Sequence, residues 1–299
     1  MFENWPTNIA TLEWSGLRNG ITMKKRNDTA SMSANAITEQ NSSLSWGASD
    51  IDILKKDGVQ FLDNLLTEQQ CDEMCEYFMK SDFYDFYNKH SKFNIDSVPQ
   101  QVRLARHDVK TNLRCPHVID LMTNEKIISM ASEYLNAPAT LSLMLPMWSF
   151  NNDPEIQNIN MQLYHRDCDD SRNLKLFLLL SDTSEDDGSQ QYVLGSHATE
   201  GLPSNMYRIT RYSDDEVYDH FDKDNTVKIF GSKGLTWLAD TYGIHKGTPP
   251  SIERTKRLLF QLQFTYNPVP IFNYKPYRYS KWDEMSDLVK YSTRKYLRR

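Results

Sequence analysis

Hydrophobic positions divide this chain into stretches of different period. Up to about residue 48, Asn, Ser, Thr, Ala and Gly mix with scattered charge and isolated tryptophans such as Trp5 and Trp14. Apolar residues are too sparse there to build a core, so 1–48 is expected to form a partly ordered arm. From Ile51 the pattern becomes globular. Asp57 to Leu62 reads as a short strand, and Thr67 with Gln70 forms a capping box at a helix start. Leu66, Cys71, Cys75 and Phe78 give that helix an apolar stripe. A second helix is expected from Asn124 to Leu135, through Ile127, Ile128, Met130, Ala131 and Tyr134.

After Pro138 the period shortens to that of strands. Thr140 to Phe150, Ile159 to His165, Leu174 to Leu180, Gln190 to Leu194, Val227 to Phe230, Leu235 to Ala239 and Arg257 to Phe264 are strand candidates separated by polar or Gly-containing turns. Repeated short strands of this kind indicate a sandwich or jelly roll. Lys175 to Leu180 is apolar on both faces apart from Lys175, as expected for a strand between a barrel interior and covering helices. The acidic loop Ser184 to Gly188 reads as a solvated turn. A long polar insertion between His197 and Val227, with Met206, Tyr207, Arg208, Arg211 and Tyr212, has the length of a lid or binding loop. The expected organisation is an arm over 1–48, a main domain over 49–268 with its jelly-roll core at about 138–266, and an aromatic extension over 269–299 that docks on the core.

Composition narrows the function classes. Across 299 residues, 34 Lys and Arg against 40 Asp and Glu give a net charge of −6. No overall cationic field therefore recruits nucleic acid or an anionic membrane, and partners of those kinds are not expected. The four cysteines, Cys71, Cys75, Cys115 and Cys168, show no disulfide-dense spacing, which fits a reducing compartment. No apolar run is long enough to span a bilayer and no signal core is present at the start, so a soluble, cytoplasmic protein is expected.

The candidate chemistry lies in His165-Arg166-Asp167 and in His245. Two histidines and a carboxylate are the ligand set that holds non-haem Fe(II) while leaving positions open for substrate chemistry. In a strand, residues two apart project to one face, so His165 and Asp167 can grip one metal while Arg166 and Cys168 turn away. His245 follows another apolar run, where a third ligand from a neighbouring strand would arrive. Downstream, Arg254 and Arg257 are both able to clamp a dicarboxylate through a bidentate guanidinium. Strand parity separates them: Arg254 and Lys256 share a face that Arg257 does not, and Arg257 abuts the apolar run.

Tyr164 to Asp170, Lys175 to Asp182, Gly188 to Gly195-Ser196-His197, and His245 to Pro250 running into Arg257 to Gln261 occur in an order that resembles the phytanoyl-CoA dioxygenase family. The resemblance runs from about Leu65 to Phe264 and is strongest after Gln162. It implies a double-stranded β-helix of the cupin-like jelly-roll kind, and Fe(II), 2-oxoglutarate and O2 as the reacting partners. It further implies His165, Asp167 and His245 as iron ligands, Arg257 as the 2-oxoglutarate clamp, and Gln162 as a lining residue of that pocket. The segment between His245 and Arg257 is slightly longer than in many relatives, which keeps Arg254 in contention. The presence of Asp167 argues against the related iron halogenases, which carry a small residue there.

The resulting expectation is an Fe(II)- and 2-oxoglutarate-dependent dioxygenase of secondary metabolism that oxidises an unactivated C–H bond of a small molecule. Hydroxylation, desaturation and ring closure are all open to it. Arg106, Lys175, Tyr192 and Arg211 are candidate substrate contacts, and their cations suggest a carboxylated or amino-acid-like substrate. The remaining histidines, His90, His107, His117, His197 and His220, are expected in surface or hydrogen-bonded roles. Two rivals belong to other classes: a cupin-like metal isomerase or hydrolase without 2-oxoglutarate, and a non-catalytic jelly-roll binding module. Oligomeric state is left open by the sequence.

Overall fold

The computed structural model describes residues 48–88, 90–150, 162–170, 172–207, 210–248, 256–267 and 275–299; the expected arm lies, but for its last residue, outside them. The described chain opens with α1 (Ala48–Asp57), β1 (Val59–Leu62) and α2 (Glu68–Lys80). Then come β2 (Phe83–Asp85), β3 (Lys92–Phe93), β4 (Leu104–Arg106), α3 (Val109–Arg114), α4 (Val118–Met122) and α5 (Glu125–Leu135). The strands that follow are β5 (Thr140–Phe150), β6 (Asn173–Leu179) and β7 (Gln190–Val193), with the short helix α6 (Asp214–Tyr218) before β8 (Thr226–Ile229). Next are β9 (Thr236–Ala239), β10 (His245–Gly247) and β11 (Lys256–Thr265), and last β12 (Tyr277–Arg278), α7 (Asp287–Thr293) and β13 (Leu297–Arg298).

Helix starts follow side-chain chemistry. At α2 the Thr67 hydroxyl accepts from the Gln70 N–H and the Gln70 side chain accepts from the Thr67 N–H, a reciprocal cap. Loss of such a cap typically costs about 1 kcal/mol. At α5 the Asn124 side chain accepts from the Ile127 N–H, and the helix stops at Asn136 in the left-handed region.

An eight-stranded antiparallel sheet runs in the order β1-β9-β6-β11-β5-β4-β2-β3, and a three-stranded sheet in the order β10-β7-β8. From β6 to β11 the chain passes back and forth between these sheets, which produces a mainly β jelly roll with flanking helices. β6 and β11 are rich in apolar residues because both faces are covered, with Lys175, Arg257, Gln261 and Gln263 among the buried polar exceptions. Leu174, Leu176, Leu178, Leu258, Phe260, Leu262 and Phe264 join the main core with Cys71, Phe78, Ile127 and Leu135 of α2 and α5. On the opposite face Phe177, Leu179, Trp237, Ala239 and Leu259 meet Tyr192 and Ile229 of the small sheet, forming the barrel interior. Leu288 and Val289 of α7, with Tyr296 and Leu297, belong to the main core as well.

Two expectations need adjustment. Of the strand expected over Ile159 to His165, residues 159–161 lie outside the described set; the rest makes only single rungs, Tyr164 to Tyr212 and His165 to His245. Pairing stops there because the next N–H but one, that of Asp167, donates to the Thr241 carbonyl in a turn. The insertion after His197 does not stand away from the body: Met206, Tyr212 and Val217 pack with Tyr164, Val193 and Ile244. Arg208 lies outside the described residues, as does the side chain of Tyr207. No helix among the described residues is long and apolar enough to cross a membrane.

Candidate metal centre

His165 and His245 face each other across a rung in which each N–H donates to the other's carbonyl, at 2.9 and 3.0 Å. Their rings lie 4.3 Å apart between centroids. Each Nδ1 sits against a carbonyl two residues back, His165 on Leu163 at 2.8 Å and His245 on Gly243 at 2.9 Å. A carbonyl only accepts, so both Nδ1 atoms carry the proton and both Nε2 atoms present a lone pair. Those lone pairs converge on Asp167, with His165 Nε2 3.7 Å from Oδ1 and His245 Nε2 3.6 Å from Oδ2. One ligand atom from each of the three side chains falls within 4.8 Å of the others. Oriented neutral imidazoles and a carboxylate are a donor set suited to a divalent metal ion.

Electrostatics keep the donors in metal-binding form. Burial pushes the His165 pKa down to about 3, with His245 and Arg211 adding to the shift, and burial lowers that of His245 too. For Asp167 burial works toward protonation, yet the Lys175 ammonium and the two imidazoles hold the carboxyl well below the usual carboxylate range. Lys175 is itself buried, and its Nζ donates to Asp167 Oδ2 at 2.6 Å.

Arg257 points into the same interior. It is paired with Ser149 across β5 and alternates with Leu259, a member of the interior cluster. Its guanidinium is buried, donates to Ser149 Oγ at 3.3 Å, and leaves Nε without a partner. Burial pulls its pKa down to about 10, opposed by Asp187. Lys256 is exposed, in line with strand parity, while Arg254 lies outside the described residues. Gln162 is half-buried just before the Tyr164 rung.

The other expected contacts are dispersed. Arg106 pairs with Met147 and shares the inner face with Ser149 and Arg257, half-buried. Arg211 is half-buried beside the Tyr212 rung, close enough to lower the proton affinity of both imidazoles. Tyr192 is turned to structural use: its hydroxyl donates to the Asp240 carbonyl at 2.8 Å and its ring fills the space over Gly58 and Gly243. A Cβ on Gly243 would lie 1.9 Å from that hydroxyl. Gly243→Ala should therefore destabilise the fold by about 1–3 kcal/mol, the usual range for overpacking. Because the Gly243 carbonyl also holds His245, metal affinity should fall with it; urea unfolding and calorimetry of the same variant check both.

Sequence reasoning missed several supports. Arg166, between the two ligands, is buried and donates to the carbonyls of Met206, Ser196 and Tyr242 at 2.9, 2.6 and 2.5 Å. Ser196 accepts from the Ile244 N–H, and Asp240 accepts from Tyr134 and from the Tyr242 N–H. Gly195-Ser196-His197 carried the signal for Ser196; for Arg166 the signal was only its place between the two candidate ligands. His197, His107 and His117 bind Lys55, Trp148 with Asp82, and Glu73, outside the cluster.

No family model matches the chain, and no curated protein matches it. Solved structures do. The epimerase SnoN, in complex with Fe3+, alpha-ketoglutarate and nogalamycin RO, superposes with a TM-score of 0.52 at 12% identity over 72% of this chain and 82% of that one. HygX from Streptomyces hygroscopicus, with nickel, 2-oxoglutarate and hygromycin B bound, gives 0.51 at 16% identity over 78% and 91%. EctD from S. alaskensis, with 2-oxoglutarate and 5-hydroxyectoine, gives 0.52 at 13% identity over 75% and 77%. The likeness is one of fold, shared with non-haem, 2-oxoglutarate-binding enzymes; it does not single out the phytanoyl-CoA dioxygenase family among them.

Proposed function

We propose that this protein is a non-haem Fe(II)- and 2-oxoglutarate-dependent oxygenase acting on a C–H bond of a small, anionic molecule. The observation that carries the reading is the pairing of two features in one barrel. Two imidazole lone pairs and a carboxylate converge at one point, and a buried guanidinium with an unpartnered Nε faces the same interior. A buried, incompletely paired arginine is costly, and a carboxylate brought by a ligand would relieve it.

In this reading His165, Asp167 and His245 hold the metal. Arg257, backed by Ser149, receives the distal carboxylate of 2-oxoglutarate, with Gln162 beside the site. Bound iron, 2-oxoglutarate and O2 supply the oxidising power; the chain supplies placement and exclusion of water. The Nδ1 contacts fix each imidazole as a neutral ligand. Phe177, Leu179, Trp237 and Leu259 keep the interior apolar. Arg211 and Arg106 are the cations best disposed toward an anionic substrate. SnoN, HygX and EctD are solved with ligands as different as nogalamycin RO, hygromycin B and 5-hydroxyectoine, which leaves hydroxylation, ring closure and desaturation all compatible with this frame.

Anaerobic titration with Fe(II) and 2-oxoglutarate tests the proposal, followed by a substrate screen scored as succinate release. A weak visible absorption band should develop only when both are present. Tight Fe(II) binding with no response to 2-oxoglutarate would favour a metal isomerase or hydrolase. Failure of the folded protein to bind metal would leave a binding module.

A further inference from the structure

Lys175 is the one charged side chain on β6, a strand otherwise packed on both faces. Its neighbours across the sheet are Ala239 and Gln263, neither of which offers a countercharge. Placing an ammonium there is unfavourable unless an anion meets it. Two do: Asp167 Oδ2 at 2.6 Å and Asp169 Oδ2 at 3.9 Å. The lysine thus engages one particular oxygen of the carboxylate on which the imidazoles converge. Asp167 Oδ1 lies 3.7 Å from His165 Nε2, while Oδ2, 3.6 Å from His245 Nε2, is the oxygen that takes the lysine hydrogen bond.

That choice of oxygen has a coordination consequence. A carboxylate with both oxygens free can chelate a metal through both, and a six-coordinate ion would then keep two open positions instead of three. Two are needed for a chelating 2-oxo acid and a third for oxygen. We propose that Lys175 is a positioning residue that reserves Asp167 Oδ2, so that Asp167 binds the metal through Oδ1 alone and the third open position survives. The inference rests on the metal reading above and deepens it. It replaces a direct substrate contact as the role of Lys175.

The arrangement also predicts an inverted affinity. Loss of a hydrogen-bonding partner from a metal ligand usually weakens metal binding, by about 10–100-fold. Here the partner is a cation a few ångströms from where a dication would sit, and it competes for the same carboxylate in the metal-free protein. Coulomb repulsion at that range, even with an effective dielectric constant of about 20, outweighs the loss of orientation. Removing the charge should therefore tighten metal binding and weaken the binding of 2-oxoglutarate to the metal complex.

The test compares wild type, Lys175→Met and Lys175→Arg by calorimetric titration with Co(II), then with 2-oxoglutarate. Isotope-edited infrared spectra of aspartate-labelled protein report whether the carboxylate binds through one oxygen or two. The expectation for Lys175→Met is Co(II) binding at least about tenfold tighter, a narrowed carboxylate band splitting, and weaker 2-oxoglutarate binding. Lys175→Arg, which keeps the charge and a donor, should retain the wild-type splitting and so guards against a misfolded methionine variant. Wild-type protein that bound no Co(II) would overturn the metal reading itself. Wild type that bound Co(II), with Lys175→Met identical to it in affinity and splitting or simply weaker in both ligands, would overturn only the role of Lys175.

Discussion

Alanine at His165, Asp167 or His245 is expected to abolish turnover in each case, but the three variants should part company in stability. Each removes one of three bonds to an ion held by a preorganised set, so metal affinity collapses whichever is lost. The histidine variants give up only a local contact from Nδ1 to a nearby carbonyl, since the rung joining them is made by backbone. Asp167→Ala instead takes from the buried ammonium of Lys175 its 2.6 Å partner and leaves it only the Asp169 carboxylate at 3.9 Å. Breaking one side of a buried ion pair costs about 3–5 kcal/mol. Urea unfolding of the metal-free proteins should show a large drop for Asp167→Ala and a small one for the histidine variants. Equal drops in all three would mean that Lys175 finds another partner, and near-native activity in any would remove that residue from the ligand set.

Arg257→Met should raise the 2-oxoglutarate requirement by a factor corresponding to about 1.5–3 kcal/mol, the value of a charge-assisted pair, while changing the substrate requirement little. Its effect on the unliganded protein should run the other way. Arg257 is buried with Nε unpaired and, among the described residues, Ser149 as its hydrogen-bond partner, so an apolar side chain of similar length removes a desolvation penalty. Thermal unfolding without ligands should be unchanged or raised. Arg254→Ala is the comparison: a larger 2-oxoglutarate defect there than in Arg257→Met would move the clamp to Arg254.

The parts of this molecule that follow a short period were legible in its sequence. Thr67 with Gln70 and Asn124 mark helix starts because capping is a contact over three residues. The apolar runs of β5, β6, β9 and β11 mark strands because burial on both faces leaves few polar positions. The joint placement of His165 and Asp167 is expected from alternation, and the two do converge, although Asp167 lies in the turn beyond the rung. What escaped depends on contacts far apart in the chain. Lys175 reads as a substrate contact until its partner, Asp167, is seen. Tyr192 reads as a pocket residue, yet the Asp240 carbonyl takes its hydroxyl and two glycines make room for its ring. The insertion after His197 has the length of a lid or binding loop, but length does not reveal the packing of Met206, Tyr212 and Val217 against Tyr164.

The rung between His165 and His245 separates the spacing of the two imidazoles from the length of chain that connects them. A mutually hydrogen-bonded antiparallel pair fixes its Cα atoms about 5.5 Å apart whatever lies between them. Doubling the length of a flexible loop within the intervening stretch would add only about 0.6 kcal/mol of closure entropy. The loops between the strands from β6 to β10 can therefore change in length while the rung keeps the two imidazoles at their spacing.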